Sequence, residues 1–301
     1  MSWNPEHIIE LLRECGALAL EIQHSAKRSR KSDDTLVTEA DIRIEAILTK
    51  ELKSDPGVFF IGEENAHSHG DGYHTEALGA RCYVIDPIDG TMLYANHLPG
   101  WGISIGYMIE GRLSEGAIFY PASGELLISS GDEVLYGCRA DRTCPAISEL
   151  RPLKPPVPPN LIVTMNQTLL KTCTFQKGAT ILSTGSCVSS ILYLARGGIC
   201  AYFTQARLWD IAGGCALLFK LGIEVWSLRS SGSGSRSGSG RQPEHTSFRE
   251  RYRGFSAEVT HEFWHIPPSD PSVYWQMRRA QVLCSGSETF ERIRKTIKSG
   301  I

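Results

Sequence analysis

Residues 83–94, YVIDPIDGTMLY, place Asp86 and Asp89 at the end of an apolar run and directly before Gly90. Other acids stand in similar settings: Glu63 and Glu64 in IGEEN, and Asp210 in LWDIAGG. Each follows a short hydrophobic run and precedes a break or a helix start. Strand ends are where site residues gather in sheet proteins. If these carboxylates converge, unit charges ~4 Å apart repel by about 4 kcal/mol at an effective dielectric near ~20. Protonation, a lysine or arginine, or a metal ion has to offset that. None of the three motifs contains a lysine or arginine, so metal is the economical answer. Oxygen-only ligands favour Mg²⁺, Mn²⁺ or Ca²⁺ over zinc.

The DPIDGT spacing suits that role. Pro87 stiffens the turn, and the Ile88 carbonyl offers a neutral oxygen between the two carboxylates. Gly90 lets the backbone come close to a ligand. If a helix starts at Thr91, its free N–H groups face the same spot and suit a phosphate. Metals beside an anion-binding helix end are the ingredients of phosphate-ester hydrolysis. Alone, DPxDG is as often a plain Asp-Pro turn as a site, GEEN is commonly a surface loop, and WD says almost nothing. The three in this order are far more specific.

The elements that must position these groups follow from periodicity. PEHIIELLRECGALALEIQHSAKR (5–28) has apolar residues at helical spacing, with Pro5 suited to a first turn. TEADIRIEAILTKELKSD (38–55) predicts a second amphipathic helix, with Thr38 and Asp41 in a capping arrangement. VFFIGEEN (58–65) and RCYVIDP (81–87) read as strands, and residues 102–137 as an antiparallel meander. ELRPLKPPVPPN (149–160), with five prolines in twelve residues, marks a connector. It separates an N-terminal α+β part (1–148) from a C-terminal part (161–301) in which strands and helices alternate as in an α/β unit. RSSGSGSRSGSGRQ (229–242) is Gly/Ser-rich and reads as a linker or loop.

Composition narrows the class. The chain has 301 residues, 42% hydrophobic and 21% charged, which is ordinary for a globular protein with a substantial core. A net charge of −2 points to neither a nucleic-acid polymer nor an anionic membrane as partner. The acidic N-terminal segment predicts no signal peptide, and no stretch approaches the ~20 apolar residues of a membrane span. Nine cysteines without a CxxC pair argue against a disulfide framework or a zinc site. A reduced, cytoplasmic setting is expected.

At this point the motifs carry a family resemblance. IGEEN, IDPIDGTMLY and LWDIAGG, with DDTLVTEADIRIEAIL before them and STGSCVSSILYLARGGICAYF between, resemble the inositol monophosphatase superfamily of magnesium-dependent, lithium-sensitive phosphatases. The resemblance covers most of residues 1–227 and implies a layered αβαβα sandwich. It implies that Glu63, Asp86 and the Ile88 carbonyl hold one metal, and that Asp86, Asp89 and Asp210 hold a second, with Asp86 bridging. It implies two or three Mg²⁺ per site, with Mn²⁺ as a substitute, a small phosphorylated metabolite as substrate, and a homodimer. Glu63 and Thr91 would position the attacking water, Asp41 would hold the Thr91 hydroxyl, and Gly90, Thr91 and the Met92 N–H would cradle phosphate.

The chain departs from the family pattern in places. MLY follows DPIDGT where a small polar or basic residue and Asn-Phe are usual. FTQARLWD offers Phe203, Thr204 and Gln205 where an acid commonly meets an inositol ring. The residues from Leu228 to Trp275 have no counterpart in the pattern. Other substrate branches therefore stay open: a sugar bisphosphate, histidinol phosphate or a 3′-phosphonucleotide. So does a phosphate-ligand sensor or scaffold without useful turnover. Gly185 and Ser186 in TGS serve a substrate hydroxyl or simply cap a helix. Arg207 serves a second anionic group or only structure. His67, His69 and His74 in NAHSHGDGYH read as a polar loop ahead of a zinc or nickel site. Cys187 has no histidine near it in sequence and does not read as a nucleophile.

Overall fold

The computed structural model describes residues 3–23, 28–30, 36–53, 57–154, 160–175, 178–227 and 252–299. Helix α1 (Pro5–Ile22) opens on Asn4, whose side chain accepts the N–H groups of Glu6 and His7. This satisfies donors that a helix start leaves without partners. A short antiparallel hairpin, β1 (Arg28–Arg30) and β2 (Leu36–Thr38), leads into α2 (Glu39–Leu52). Then follow β3 (Val58–Gly62), α3 (Asp71–Leu78), β4 (Arg81–Asp89) and the single-turn α4 (Thr91–Ala95). The expected meander is present as β5 (Gly102–Ile109), β6 (Arg112–Tyr120), β7 (Glu125–Ser130) and β8 (Glu133–Cys138). Strand β9 (Arg151–Pro152) pairs with β8, so the start of the proline-rich connector still belongs to the first sheet.

The later residues build β10 (Ile162–Met165), α5 (Gln167–Thr172), β11 (Thr174–Phe175), β12 (Thr180–Leu182) and α6 (Cys187–Ala195). Next come β13 (Ala201–Thr204), α7 (Leu208–Lys220), β14 (Glu224–Ser227) and β15 (Tyr252–Arg253). The chain finishes with β16 (Gln281–Cys284), α8 (Ser287–Arg294) and β17 (Ile297–Ser299). The first sheet runs β3-β4-β5-β6-β7-β8-β9, with only β3 and β4 parallel. The second runs β12-β10-β13-β16-β14-β15. Its parallel core, β12-β10-β13, is the expected α/β unit. Beyond β13 the pairing turns antiparallel, so this sheet is mixed. The Gly/Ser-rich stretch 229–242 lies outside the described residues, as do 155–159 of the connector.

Three apolar clusters define five layers. Ile8, Leu12 and Cys15 of α1 and Ile44 and Leu48 of α2 pack on one face of the first sheet against Ile85, Ile103 and Phe119. Helices α6 and α7 fill the middle, between Val84 and Ile118 of the first sheet and Tyr202 and Leu283 of the second. Leu169 of α5 and Phe290 and Ile293 of α8 cover the far face, on Val163, Phe203 and Val282. The order is αβαβα, as expected. Helix α7 sits close on the first sheet because glycines face it. A Cβ on Gly116 would come within 2.0 Å of the Gly213 carbonyl oxygen. The contact carries Asp210, three residues earlier in the chain, to the mouth of the first sheet. Among the described residues no helix is long and apolar enough to cross a membrane.

Candidate active site

The site begins where β3 and β4 end side by side. They run parallel, with Gly62 opposite Ile85, and the Glu63 N–H donates to the Ile85 carbonyl at 3.2 Å. Glu63 and Asp86 therefore leave the sheet at the same edge. Between Asp86 and Asp89 the register of β4 on β5 shifts, around Pro87, which has no N–H for the ladder. Gly90 then takes φ +87°, a left-handed conformation suited to glycine. Its carbonyl accepts the N–H groups of Leu93 and Tyr94 at 2.8 and 3.0 Å, and α4 begins at Thr91 as expected.

Three of the acids are tied to helix starts. Asp41 is the third residue of α2, and its Oδ2 accepts the N–H and hydroxyl of Thr38 at 2.8 and 2.5 Å. Its Oδ1 lies 3.2 Å from the Thr91 hydroxyl, which is also 3.0 Å from the Ile88 carbonyl and donates to one of them at a time. Asp89 accepts the Ser186 hydroxyl and the N–H groups of Cys187 and Val188, the latter two at 3.2 and 2.8 Å. Those are the first N–H groups of α6. Asp210 is the third residue of α7 and accepts the Arg207 N–H at 2.9 Å. The positive end of a helix dipole favours a carboxylate by about 0.3–1 kcal/mol, so part of the offset comes from the backbone.

The offset is incomplete. Asp86 is 1% exposed, and its Oδ1 has no hydrogen-bond partner among the described residues. Burial, then Glu63, Asp89, Asp210 and Asp41, push its carboxyl well above the usual range. Burial raises Asp210 to about 8, with Glu63 and Asp89 adding to it and Arg207 opposing. Burial raises Asp89 to about 6 against the pull of Ser186, Val188 and Cys187. Asp41 also rises to about 6, by burial, with the Thr38 hydroxyl opposing and Glu63 adding.

Glu63, Asp86, Asp89 and Asp210 line one cavity of about 220 Å³, together with Ile88, Gly90 and Thr91. Thr184, Gly185, Ser186, Cys187 and Ser190 form a second wall, and Met165, Asn166, Gln167 and Tyr202 a third. Among the described residues no three carboxylate, imidazole or thiol groups are already drawn to one metal-binding point. The donor set nevertheless fits a hard divalent cation. It is all oxygen, it includes the carbonyl of Ile88, and it holds a buried carboxylate oxygen with nothing to bind.

The other expected residues divide. Gly185 lines the cavity with φ +75°, and Ser186 both caps α6 and grips Asp89. Met92 is 55% exposed and its side chain meets Asn96 rather than the cavity. The Arg207 guanidinium lies over the Trp209 ring and donates to the Ser272 carbonyl; it does not line the cavity. Phe203 is buried in the far core, and Gln205 donates to the Met277 carbonyl. The three histidines turn to aromatic partners: His67 stacks on Tyr274, His69 on Tyr73, and the buried His74 meets Trp275 edge-on.

Sequence reasoning missed several participants. Glu45 is 4% exposed beneath the β3 end, where its Oε2 accepts the Glu64 N–H at 2.9 Å. A Cβ on Gly62 would come within 2.5 Å of that same oxygen, so the glycine is what admits Glu45. An acid one helical turn after Asp41 is the signal the sequence offers. Asn166, Gln167 and Tyr202 carry no motif; they reach the cavity only because β10 and β13 are neighbours in the second sheet.

The fold is a layered sandwich with a carboxylate-lined cavity at a strand edge. The Inositol monophosphatase family model matches residues 6–250, and the chain belongs to that family of phosphatases. Inositol monophosphatase 1 of Homo sapiens is 24% identical over 230 residues, covering 72% of this chain and 80% of that protein. A histidinol-phosphatase of Chlorobaculum parvum is 36% identical over 124 residues, which is 39% of this chain and only 44% of that protein's length. Among solved structures, a Thermotoga maritima IMPase superimposes with TM-score 0.63 at 18% identity, covering 96% of this chain and 94% of that one. At that identity the likeness is one of fold.

Proposed function

We propose that this chain is a Mg²⁺-dependent phosphatase that hydrolyses the monoester of a small phosphorylated metabolite. The observation that carries the reading is the buried, unpartnered Asp86 Oδ1 in a cavity shared with Glu63, Asp89 and Asp210. Glu63, Asp86 and the Ile88 carbonyl would hold one ion, and Asp86, Asp89 and Asp210 a second. Bound there, divalent ions polarise phosphoryl oxygens and make water more acidic.

The chain's own groups do the rest. When the Thr91 hydroxyl donates to Asp41 Oδ1, its lone pairs are left to accept a hydrogen bond from the attacking water. Thr38 keeps Asp41 turned toward Thr91 by holding the other carboxylate oxygen. Glu63 lines the same cavity and would take the water's second hydrogen bond. The N–H groups of Thr91 and Met92 have no helical partner at the start of α4 and face the phosphate. The neutral wall of Asn166, Gln167 and Thr184 receives the alcohol part of the ester, consistent with a sugar, cyclitol or nucleotide.

Phosphate release measured with Mg²⁺ on wild type and Asp89→Asn tests this. The variant is expected to fall by about 10²–10³-fold. Equal rates would remove the enzyme reading and leave a phosphate-ligand sensor. A panel of monoesters with and without Li⁺ then identifies the substrate branch.

A further inference from the structure

We propose that Gln167 sets the substrate class of this cavity: its side-chain amide reads a hydroxyl of the ester's alcohol part, so neutral polyol monophosphates are favoured over esters that carry a second charge. The proposal rests on the phosphatase reading and narrows it to one kind of alcohol. The hydroxyl and amide side chains on the second and third walls are those of Thr184, Ser186, Ser190, Asn166, Gln167 and Tyr202. All but one are committed within the protein. Thr184 donates to the Ser186 carbonyl at 2.6 Å and lies 2.9 Å from the Ser190 hydroxyl. Ser186 donates its hydroxyl to Asp89, and Tyr202 donates to Cys187 Sγ at 2.9 Å. Asn166 accepts the Leu169 N–H on Oδ1 at 3.0 Å and donates from Nδ2 to the Gln205 carbonyl at 3.5 Å.

Gln167 is the exception. It lines the cavity, is exposed, and has no hydrogen bond to another described residue. Its neighbour is fixed: Asn166 caps α5, and its own N–H is bound to the Phe203 carbonyl at 3.1 Å. The backbone that presents Gln167 is therefore set, while its amide keeps both a donor and an acceptor for a ligand. An amide can accept from one hydroxyl and donate to the next, which matches adjacent hydroxyls on a polyol.

Charge excludes the alternatives. No lysine, arginine or histidine is among the residues that line the cavity. A second phosphate on the substrate would meet no cation beyond the metals that the reaction uses. The second and third walls hold no carboxylate either, so an ammonium group on the alcohol finds no partner of opposite sign there. A site that binds a hydroxyl by hydrogen bond also discriminates against an ester that lacks one.

The test measures Mg²⁺-dependent phosphate release by the full chain from inositol phosphate, phenyl phosphate, a sugar bisphosphate and histidinol phosphate. Wild type is expected to prefer inositol phosphate in kcat/KM. In Gln167→Ala the ratio of inositol phosphate to phenyl phosphate should fall about tenfold, through KM rather than kcat, as loss of one hydrogen bond predicts. Gln167→Glu should raise histidinol phosphate against inositol phosphate, and Gln167→Lys the sugar bisphosphate, each by about fivefold. Each comparison is a ratio within one variant, so a general loss of activity cancels. An unchanged ratio in Gln167→Ala, or a wild type that prefers either charged alcohol, would overturn the proposal. Release from none of the four esters would overturn the phosphatase reading instead. Calorimetry with inositol phosphate then decides this one: an affinity about tenfold weaker in Gln167→Ala keeps it, and an equal affinity removes it.

Discussion

The two sheets contribute to the cavity in opposite ways. The first delivers charge: Glu63 and Asp86 leave the ends of adjacent parallel strands, and Asp89 follows across a register shift. The second delivers neutral groups, Met165, Asn166, Gln167 and Tyr202, from β10, β13 and the start of α5. Helices α6 and α7 lie between them and supply the joints, gripping Asp89 and presenting Asp210. Charge that must converge within a few ångströms is set by chain neighbours and hydrogen-bonded strand pairs. The neutral wall is set by how two sheets stack.

The sharpest way to break that division is at Asp86. Asp86→Asn keeps the shape and should lower Mg²⁺-dependent phosphate release by about 10³-fold. Stability offers a second reading of the same charge. An unfolded aspartate loses its proton near pH ~3.9, but folded Asp41 and Asp89 keep theirs to about 6 and Asp210 to about 8. Between these limits the folded chain binds more protons than the unfolded one, so stability falls as pH rises. With a chelator present, the melting temperature should therefore drop from about pH 5 to about pH 8 and level off above that. Mg²⁺ should flatten the slope, and Asp86→Asn should reduce it. A chelated protein whose melting temperature climbs over this range would contradict the buried acid cluster.

Next in size are the groups that hold the acids. Asp41→Asn leaves the Thr38 and Thr91 hydroxyls without their anionic acceptor, and about a 10²-fold loss of rate is expected with little change in Mg²⁺ affinity. Glu45→Gln is milder. It keeps an oxygen for the Glu64 N–H but removes the charge, so about a tenfold loss is expected, read mainly as weaker Mg²⁺ binding through Glu63. If Glu45→Gln were as damaging as Asp86→Asn, the line between ligand and support drawn here would be misplaced.

The sequence reveals these two contributions unequally. DPIDGT could be read because everything that gives it meaning lies within six residues: a stiff turn, a glycine and a helix start. The Thr38–Asp41 cap was visible for the same reason. Helix α3, in contrast, reads from sequence as part of a polar loop, because NAHSHGDGYH has histidines and glycines but no apolar period. Its His74 finds cover from Trp275, some 200 residues later in the chain. The packing of residues 254–280 against that loop and against Arg207–Leu208 is likewise non-local: the Leu208 N–H donates to the Trp275 carbonyl and the Met277 N–H to the Ala206 carbonyl. Contacts of this kind depend on both partners, and neither segment announces the other.

Arg207 brings the comparison to its finest point. From sequence it stood beside Asp210 as a candidate for a second anionic group. In the fold its side chain is spent on the Trp209 ring, 5.4 Å from the centroid, and on the Ser272 carbonyl at 3.3 Å. The Arg207 backbone N–H binds Asp210, which any residue but proline supplies, and the guanidinium adds a smaller opposing charge. Arg207→Ala should therefore change kcat and KM by less than about threefold, because the backbone hydrogen bond to Asp210 is kept and only the weaker charge of the guanidinium is lost. Stability should fall by about 1 kcal/mol, the usual worth of an exposed cation–π contact with one hydrogen bond. A steep rise in KM confined to substrates with a second anionic group would mean that the guanidinium leaves Trp209 when such a ligand arrives. The neutral wall would then carry a charge after all.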